Sequence, residues 1–167
     1  MIERKYMAHY IDAGFNSALS GTGVTLNWVR LGEDLEELNV ELNPDVEQKK
    51  NILGENTARH RGYEESQEVD PYYADEDDPL FVKLQAIVDQ RKTGDDCATF
   101  LLEVHLWEAG AATGSYVAYA QPCLVVPTSY GGDTSGYQIP FTVYPKGERV
   151  PGTFVLATKT FTATAAG

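Results

Sequence analysis

The feature that most restricts the fold is one clear helical pattern, after which the sequence carries strand patterns only. Asp78 and Pro79 suit the start of a helix, because aspartate accepts free N–H groups and proline lacks one. Apolar residues then recur at helical spacing, at Leu80, Leu84, Ile87 and Val88. Gly94 suits the position just beyond the last turn. We therefore predict a helix over residues 79–92 whose apolar stripe packs against a sheet.

Strand patterns lie on both sides of this helix. Upstream, residues 26–31 predict one strand. An almost strict period of two from Leu35 predicts a second, half-buried strand with Leu38, Val40 and Leu42 on its buried face. A turn at residues 43–45 would let residues 46–53 return as its hairpin partner. Downstream strands are predicted over residues 100–107, 116–126, 137–144 and 153–163. Pro122 is expected at a sheet edge or a bulge.

These patterns together predict the fold class. We expect a mainly β (α+β) protein, a β-sandwich or open barrel of about six to seven strands with one packed α-helix, a long polar loop and extended terminal arms. Residues 1–34 are expected to form an N-terminal arm and the first strand. Residues 35–161 form the β-domain, with the long loop at residues 44–76, and residues 162–167 form a C-terminal tail.

The negative charge is concentrated in one segment. The net charge is −12, and residues 33–78 hold 16 acidic and 4 basic residues, while the rest of the chain is balanced. An acidic body without a Lys and Arg stripe repels phosphate backbones. The sequence therefore disfavours specific nucleic-acid binding, although a simple solvated loop would carry the same charge.

Catalytic and metal-binding motifs are absent from the sequence. His9, His60 and His105 are isolated, without a second histidine or a cysteine at metal-ligand spacing. No nucleophile elbow is present, and the acidic run at residues 75–78 lacks the alternating ligands and glycine of a calcium loop. We therefore expect no enzyme activity, no metal and no cofactor.

Cysteine use and apolar runs suggest where the chain is made. Cys97 and Cys123 are solitary and the N-terminus lacks the apolar stretch of a secretory signal, which predicts synthesis in a reducing cytosol without a disulfide framework. No apolar run approaches the roughly 20 residues that cross a bilayer, so no membrane association is expected.

The sequence contains five phrases in a characteristic order: LNVELNPDVE at residues 38–47, KNI at 50–52, RGYE at 61–64, DDPLF at 77–81 and YPKGERVPGTF at 144–154. In this order they resemble the tail tube (major tail) protein family of long-tailed bacteriophages. They resemble, respectively, the family's strand and turn, the start and end of its long loop, the start of its helix and its terminal hairpin. The resemblance covers residues 35–154, and the first 34 residues match none of these phrases.

The resemblance implies a virion structural protein rather than an enzyme. In that family, subunits form hexameric rings whose sheets join into an inner barrel, and stacked rings make the tube through which DNA leaves. The implied partners are other copies of the chain and the tape measure, tail terminator and distal tail proteins. DNA would pass without specific binding. The implied location is the virion tail, after synthesis in the bacterial host cytoplasm.

Two sets of residues are candidates for roles in such a tube. Apolar residues in the long loop would contact the adjacent ring, namely Ile52, Leu53, Tyr63, Tyr72 and Tyr73. Carboxylates on the polar face of the predicted hairpin would face the lumen and repel DNA, namely Glu37, Glu41, Asp45 and Glu47. An outward position, where these acids only keep the surface soluble, explains them equally well.

Other functions remain open from the sequence. One is a different ring-forming tail or secretion-tube protein with the same core. Another is a small β-sandwich carbohydrate-binding module, for which Tyr116, Tyr119, Tyr130 and Tyr137 would supply an aromatic platform. Packing on strand faces is the alternative role of these tyrosines.

Overall fold

A computed structural model describes residues 1–33 and 35–164. Thirteen strands and one α-helix occur in this part of the chain. In chain order they are β1 (Met7–Asp12), β2 (Trp28–Leu31), β3 (Val40–Glu41), β4 (Pro44–Lys50), β5 (Asn56–Tyr63), β6 (Ser66–Val69), α1 (Pro79–Gln90), β7 (Ala98–Ala109), β8 (Ser115–Pro127), β9 (Gly131–Asp133), β10 (Gly136–Gln138), β11 (Phe141–Pro145), β12 (Val150–Val155) and β13 (Thr160–Ala163). Short 3-10 turns occupy Arg4–Tyr6 and Gly94–Cys97.

Nine of these strands form one antiparallel sheet. Its order is β2-β1-β7-β8-β11-β6-β3, and β12 and β13 extend from the same side of β8 as β11. The sheet curls into a half-barrel, which confirms the predicted mainly β fold with one helix. The other four strands form two separate hairpins, β4–β5 and β9–β10. The main sheet is therefore larger than the six to seven strands predicted.

The helix begins as predicted and ends earlier. The Asp78 carboxylate accepts the N–H of Leu80 at 3.0 Å, and Pro79 is the first helical residue. The last helical residue is Gln90, because Arg91 adopts a left-handed conformation with φ of 50°. The predicted end at residue 92 was therefore two residues too late, and Gly94 instead opens the 3-10 turn before β7.

The sheet buries both of its faces. Ile11, Leu101 and Val125 point to one face, where they pack against Leu80, Leu84 and Val88 of α1. Their strand neighbours Tyr10, Leu102 and Ala120 point to the other face and join a second core around Phe154. That core is closed by apolar residues of a loop and of the terminal hairpin, namely Leu19, Leu26 and Phe161.

Strand β8 carries two partners on one side, and Pro122 lies between them. Residues 115–120 pair with β12, and residues 123–127 pair with β11. The Pro122 carbonyl accepts the N–H of Lys146 in the turn that joins those two strands, at 2.7 Å. In an antiparallel sheet the N–H and C=O groups of one residue point to the same side of the strand. The position of the missing N–H of Pro122 therefore faces the turn between β11 and β12, where no hydrogen bond of the sheet is lost. Pro122 therefore lies inside the sheet, not at an edge.

The N-terminal segment is not the extended arm that was predicted. Strand β1 lies between β2 and β7, and five of its six residues are buried. Asp12 at its end is fully buried and organises the loop that follows. Its carboxylate accepts the N–H of Gly14 (2.9 Å), Asn27 (2.9 Å) and Asn16 (3.1 Å), and also the side-chain amide of Asn16 (3.0 Å). The arm prediction was wrong because His9 and Asp12 mask the apolar pattern of a buried strand.

The segment before the hairpin also differs from its prediction. Only Val40 and Glu41 are in a strand, which pairs with β6, although a strand over residues 35–42 was predicted. Leu38 is buried as an anchor, whereas Leu42 is 49% exposed. Strand β4 pairs with β5 rather than with the segment before it. Residues 44–76 are therefore not one polar loop, because they contain this hairpin and then β6, where Gln67 and Val69 are buried.

The C-terminal region contains more turns than predicted. The strand expected over residues 137–144 is broken at Ile139 and Pro140, which separate β10 from β11. The strand expected over residues 153–163 is a hairpin, in which β12 turns back at Thr158 and Lys159 to pair with β13. Part of the predicted tail, Thr162 and Ala163, belongs to β13, while residues 165–167 lie outside the described residues.

Acidification is expected to destabilise the fold through His9. This side chain is 4% exposed, its Nδ1 atom has no hydrogen-bond partner among the described residues, and burial lowers its pKa from 6.5 to about 4. The nearby charges of Arg4, His105 and Arg30 lower the pKa further, and Glu103 opposes them. The unfolded chain takes up the proton first as pH falls. Stability present above pH 6.5 is therefore lost toward pH 4, by about 2 kcal/mol at pH 5.

Urea unfolding at pH 7 and pH 5 measures this loss. Carboxylates elsewhere titrate in both the wild type and His9→Gln, so the difference between the two proteins isolates the histidine. Between pH 7 and pH 5, the free energy of unfolding of the variant should fall by about 2 kcal/mol less than that of the wild type. Equal pH dependence in both proteins would show that His9 is not protonated on unfolding.

Candidate functional site

The hairpin β4–β5 projects from the domain. Its pairs run from Pro44 with Tyr63 to Lys50 with Asn56, with one irregularity after Asp45. Among the described residues, none between Asn43 and Ser66 belongs to either core. The seven residues of β4 span about 23 Å at strand rise. An isolated two-stranded hairpin is only marginally stable in water.

The tip of the hairpin is held in one conformation by Asn51. Its side-chain oxygen accepts the N–H of Leu53 at 3.0 Å and of Glu55 at 2.9 Å, and its side-chain amide donates to the Glu55 carboxylate at 3.0 Å. Gly54 completes the turn with φ of 82°. The prediction from sequence missed this turn, although Asn51 and Gly54 are typical turn residues.

This turn presents two aliphatic side chains to solvent. Ile52 is 102% exposed and Leu53 is 77% exposed, the largest exposures after Met1 among the large apolar residues that the structure describes. Exposing both side chains has a free-energy cost that a partner surface would remove, and Asn51 has already ordered the turn. The tip is therefore an ordered turn with exposed apolar side chains, which makes it a candidate contact site.

The base of the hairpin is anchored to the main sheet. Asn43 adopts a left-handed conformation with φ of 44°. Its side-chain amide donates to the Glu64 carbonyl at 3.0 Å and to the Ser66 hydroxyl at 3.4 Å. The Asn43 carbonyl also accepts the N–H of Glu64. These bonds fix the point from which the hairpin leaves β6.

The hairpin is basic although the surrounding segment is acidic. Between Pro44 and Tyr63 it carries three acidic residues and four basic ones, which are Asp45, Glu47, Glu55, Lys49, Lys50, Arg59 and Arg61. Glu47 forms ion pairs with Arg61 and, at 2.9 Å, with Lys49. The acidic excess of the chain therefore lies before and after the hairpin, over residues 33–41 and 64–78.

The four candidate lumen acids do not share one face. Glu37 lies in the loop before β3 and accepts a hydrogen bond from Asn39, and Glu41 lies on β3 in the main sheet. Asp45 and Glu47 belong to the separate hairpin, where Glu47 is paired with cations. The single polar hairpin face on which the four were placed does not form, because residues 35–39 do not form a strand.

The five candidate loop contacts separate into two groups. Ile52, Leu53 and Tyr63 are exposed on the hairpin, and Tyr63 makes an edge contact with the His60 ring at 4.6 Å. Tyr72 instead packs against Phe141 of the domain core at 5.6 Å and donates to the Asp78 carboxylate. Burial and that hydrogen bond raise the Tyr72 pKa. The backbone of Tyr73 forms an isolated antiparallel β-bridge with Gln138.

The four candidate platform tyrosines are distributed over three places. Tyr116 packs against the second core. Tyr119 lies beneath Arg149, whose guanidinium is 4.2 Å from the ring centroid. Tyr130 contacts Arg91 at the end of α1, and Tyr137 contacts Phe81 and Gln85 of the same helix. They do not form one flat aromatic surface.

Other kinds of site receive no support from the described residues. Within residues 1–33 and 35–164, no group of three or more His, Cys, Asp or Glu side chains is arranged to hold a metal ion. In the same residues, no helix combines the length and apolarity that crossing a membrane requires. No family model and no curated protein sequence matches the chain.

Proposed function

We propose that this chain is a virion structural protein, the tail tube subunit of a long-tailed bacteriophage or a related particle. Copies assemble into stacked hexameric rings that form the conduit for DNA ejection. The implied partners are the tape measure, tail terminator and distal tail proteins. The chain is made in the host cytoplasm and functions in the virion tail, where it acts by assembly rather than catalysis.

The observation that carries the proposal is the uncovered hairpin. A preorganised tip with two strongly exposed aliphatic residues, Ile52 and Leu53, packs against neither core of the described part of the chain. Large exposed apolar groups on a projecting element are typical of protein–protein contact sites. Assembly with other copies would cover them in every subunit of a ring or tube.

The edges of the main sheet support the same function. In the described part of the chain, β2, β3 and β13 each pair with one neighbour only. Each therefore presents a row of free backbone N–H and C=O groups, which pair readily with another strand. Joining sheets between neighbouring subunits would satisfy these groups, as the curled half-barrel shape allows.

The charge distribution is compatible with DNA passage. A conduit must not hold the DNA, and carboxylates repel phosphates whereas a basic lining binds them. Exposed carboxylates of segments 36–41 and 64–70 supply the acidic surface for such a lining. Glu47 contributes less, because Arg61 and Lys49 neutralise it.

Sedimentation velocity over a range of concentrations, followed by negative-stain imaging, tests the proposal. We expect rings or tubes that increase with concentration, because every added subunit covers another hairpin. A carbohydrate-binding module would remain a compact monomer throughout. Persistent monomer at the highest concentration, with no rings or tubes in the images, would contradict the proposal.

A further inference from the structure

A groove with an apolar floor and an acidic rim lies at the start of α1. Its volume is about 790 Å³, within the range of about 300–1,000 Å³ that is usual for binding sites. Half-buried apolar side chains form the floor, among them Val29, Leu35 and Tyr72. Fully buried Val69 and Leu80 lie beneath it and belong to the core.

The rim of the groove is acidic. Glu33, Asp75, Glu76 and Asp77 line it and are exposed. The turn that carries them is fixed by hydrogen bonds, since the Asp75 carboxylate accepts the N–H of Asp77 at 3.0 Å. Among the described residues, no lysine or arginine forms an ion pair with these rim acids, although Arg30 and Lys159 also line the groove.

We infer that this groove receives the hairpin tip of a second copy of the chain. Ile52 and Leu53 supply the aliphatic side chains that the apolar floor would cover. Lys50 at the end of β4 supplies positive charge, and so does Lys49, which is paired with Glu47 within the hairpin. Apolar surface is matched with apolar surface and cation with anion. The inference rests on the proposed self-assembly and names the surface through which it occurs.

The second copy is required because of where the tip lies. Within one chain Ile52 and Leu53 are exposed to solvent, so the tip does not occupy the groove of its own chain. The hairpin extends about 23 Å from its anchor at Asn43, far enough to reach a neighbouring subunit. Each copy then carries one tip and one groove. Such head-to-tail contacts build rings or stacked tubes rather than closed pairs.

Charge reversal with rescue tests the groove directly. Lys49→Glu with Lys50→Glu should raise the concentration needed for assembly by roughly tenfold or more, because the attraction to the rim becomes repulsion. Asp75→Lys with Asp77→Lys should have the same effect. Combining all four substitutions restores opposite charges and should restore assembly toward the wild-type concentration.

Matched controls carry the same charge changes at exposed positions outside the groove. These are Lys83→Glu with Lys146→Glu, and Asp96→Lys with Glu148→Lys. Circular dichroism of every variant verifies the fold. The groove assignment alone would be overturned if the hairpin variant assembled at the wild-type concentration. It would also be overturned if the quadruple variant failed to regain assembly. A wild-type chain that never assembles would instead contradict the proposed function.

Discussion

Replacing residues 47–59 with Asn-Gly is expected to give a folded monomer that no longer assembles. The replacement keeps the pair of Val46 with His60, and Asn-Gly is the favoured two-residue hairpin turn. No residue of either core is removed. The free energy of unfolding should therefore change by only about 0.5 kcal/mol. Sedimentation velocity beside the wild type measures the loss of assembly.

A milder variant isolates the apolar part of this contact. Burying an isoleucine or leucine side chain contributes about 1.5–3 kcal/mol, so the two tip residues together contribute about 3 kcal/mol or more. Ile52→Ser with Leu53→Ser should raise the assembly concentration by about a hundredfold. The matched control is Ile2→Ser with Val82→Ser, since both positions are 58% exposed. Equal effects of the two double variants would mean that the tip has no special role.

Asp12→Ala is expected to reduce the free energy of unfolding by about 3–5 kcal/mol. The carboxylate is fully buried and accepts four hydrogen bonds, so alanine leaves three backbone N–H groups without this partner, and the Asn16 amide keeps only its bond to the Thr25 carbonyl. The loop that they fix carries Leu19 and Leu26, which cover the second core. Such a loss is a large part of the stability of an ordinary domain.

Urea unfolding measures this effect against an exposed carboxylate with a similar bond. Asp133 accepts the N–H of Ser135 at 2.8 Å but lies in an exposed hairpin. Asp133→Ala should therefore cost less than about 1 kcal/mol. An Asp12→Ala loss equally small would mean that water replaces the carboxylate in the loop.

The parts of the fold with strong local signals were predicted well. The start of α1 follows from Asp78 and Pro79, which act locally, and the buried face of the helix follows from its periodicity. The long alternating strand β7 and its neighbour β8 were also predicted, because apolar residues on a sheet recur every second position.

The failures occur where distant contacts decide the structure. Strand β1 contains the buried polar residues His9 and Asp12, and its place between β2 and β7 depends on residues about 20 and 90 positions away. The period of two at residues 35–42 lacks a partner strand along most of its length. Pairing partners are a property of the whole chain, so local patterns cannot identify them.

The sequence identified candidate assembly residues by their apolar character, but it did not predict where each of them lies in the fold. Exposed Ile52 and Leu53 were chosen because a polar segment has little reason to carry them, and the structure places both at the hairpin tip. Tyr72 satisfied the same criterion but packs into the core of its own domain. The basic character of the hairpin was not predicted. The charge was summed over residues 33–78, where the acidic segments on both sides of the hairpin outweigh its four basic residues.

Two basic residues of the hairpin, Lys50 and Arg59, have a consequence for copies that are still free. Until assembly, both outer edges of β4 and β5 are templates for uncontrolled cross-β pairing between molecules. Lys49 and Arg61 are paired with Glu47, whereas Lys50 and Arg59 form no ion pair among the described residues. Two free hairpins that met would bring these two cations of each copy together, and this like-charge repulsion disfavours the encounter. The same residues thus act as gatekeepers against aggregation while subunits accumulate, a protection that salt weakens.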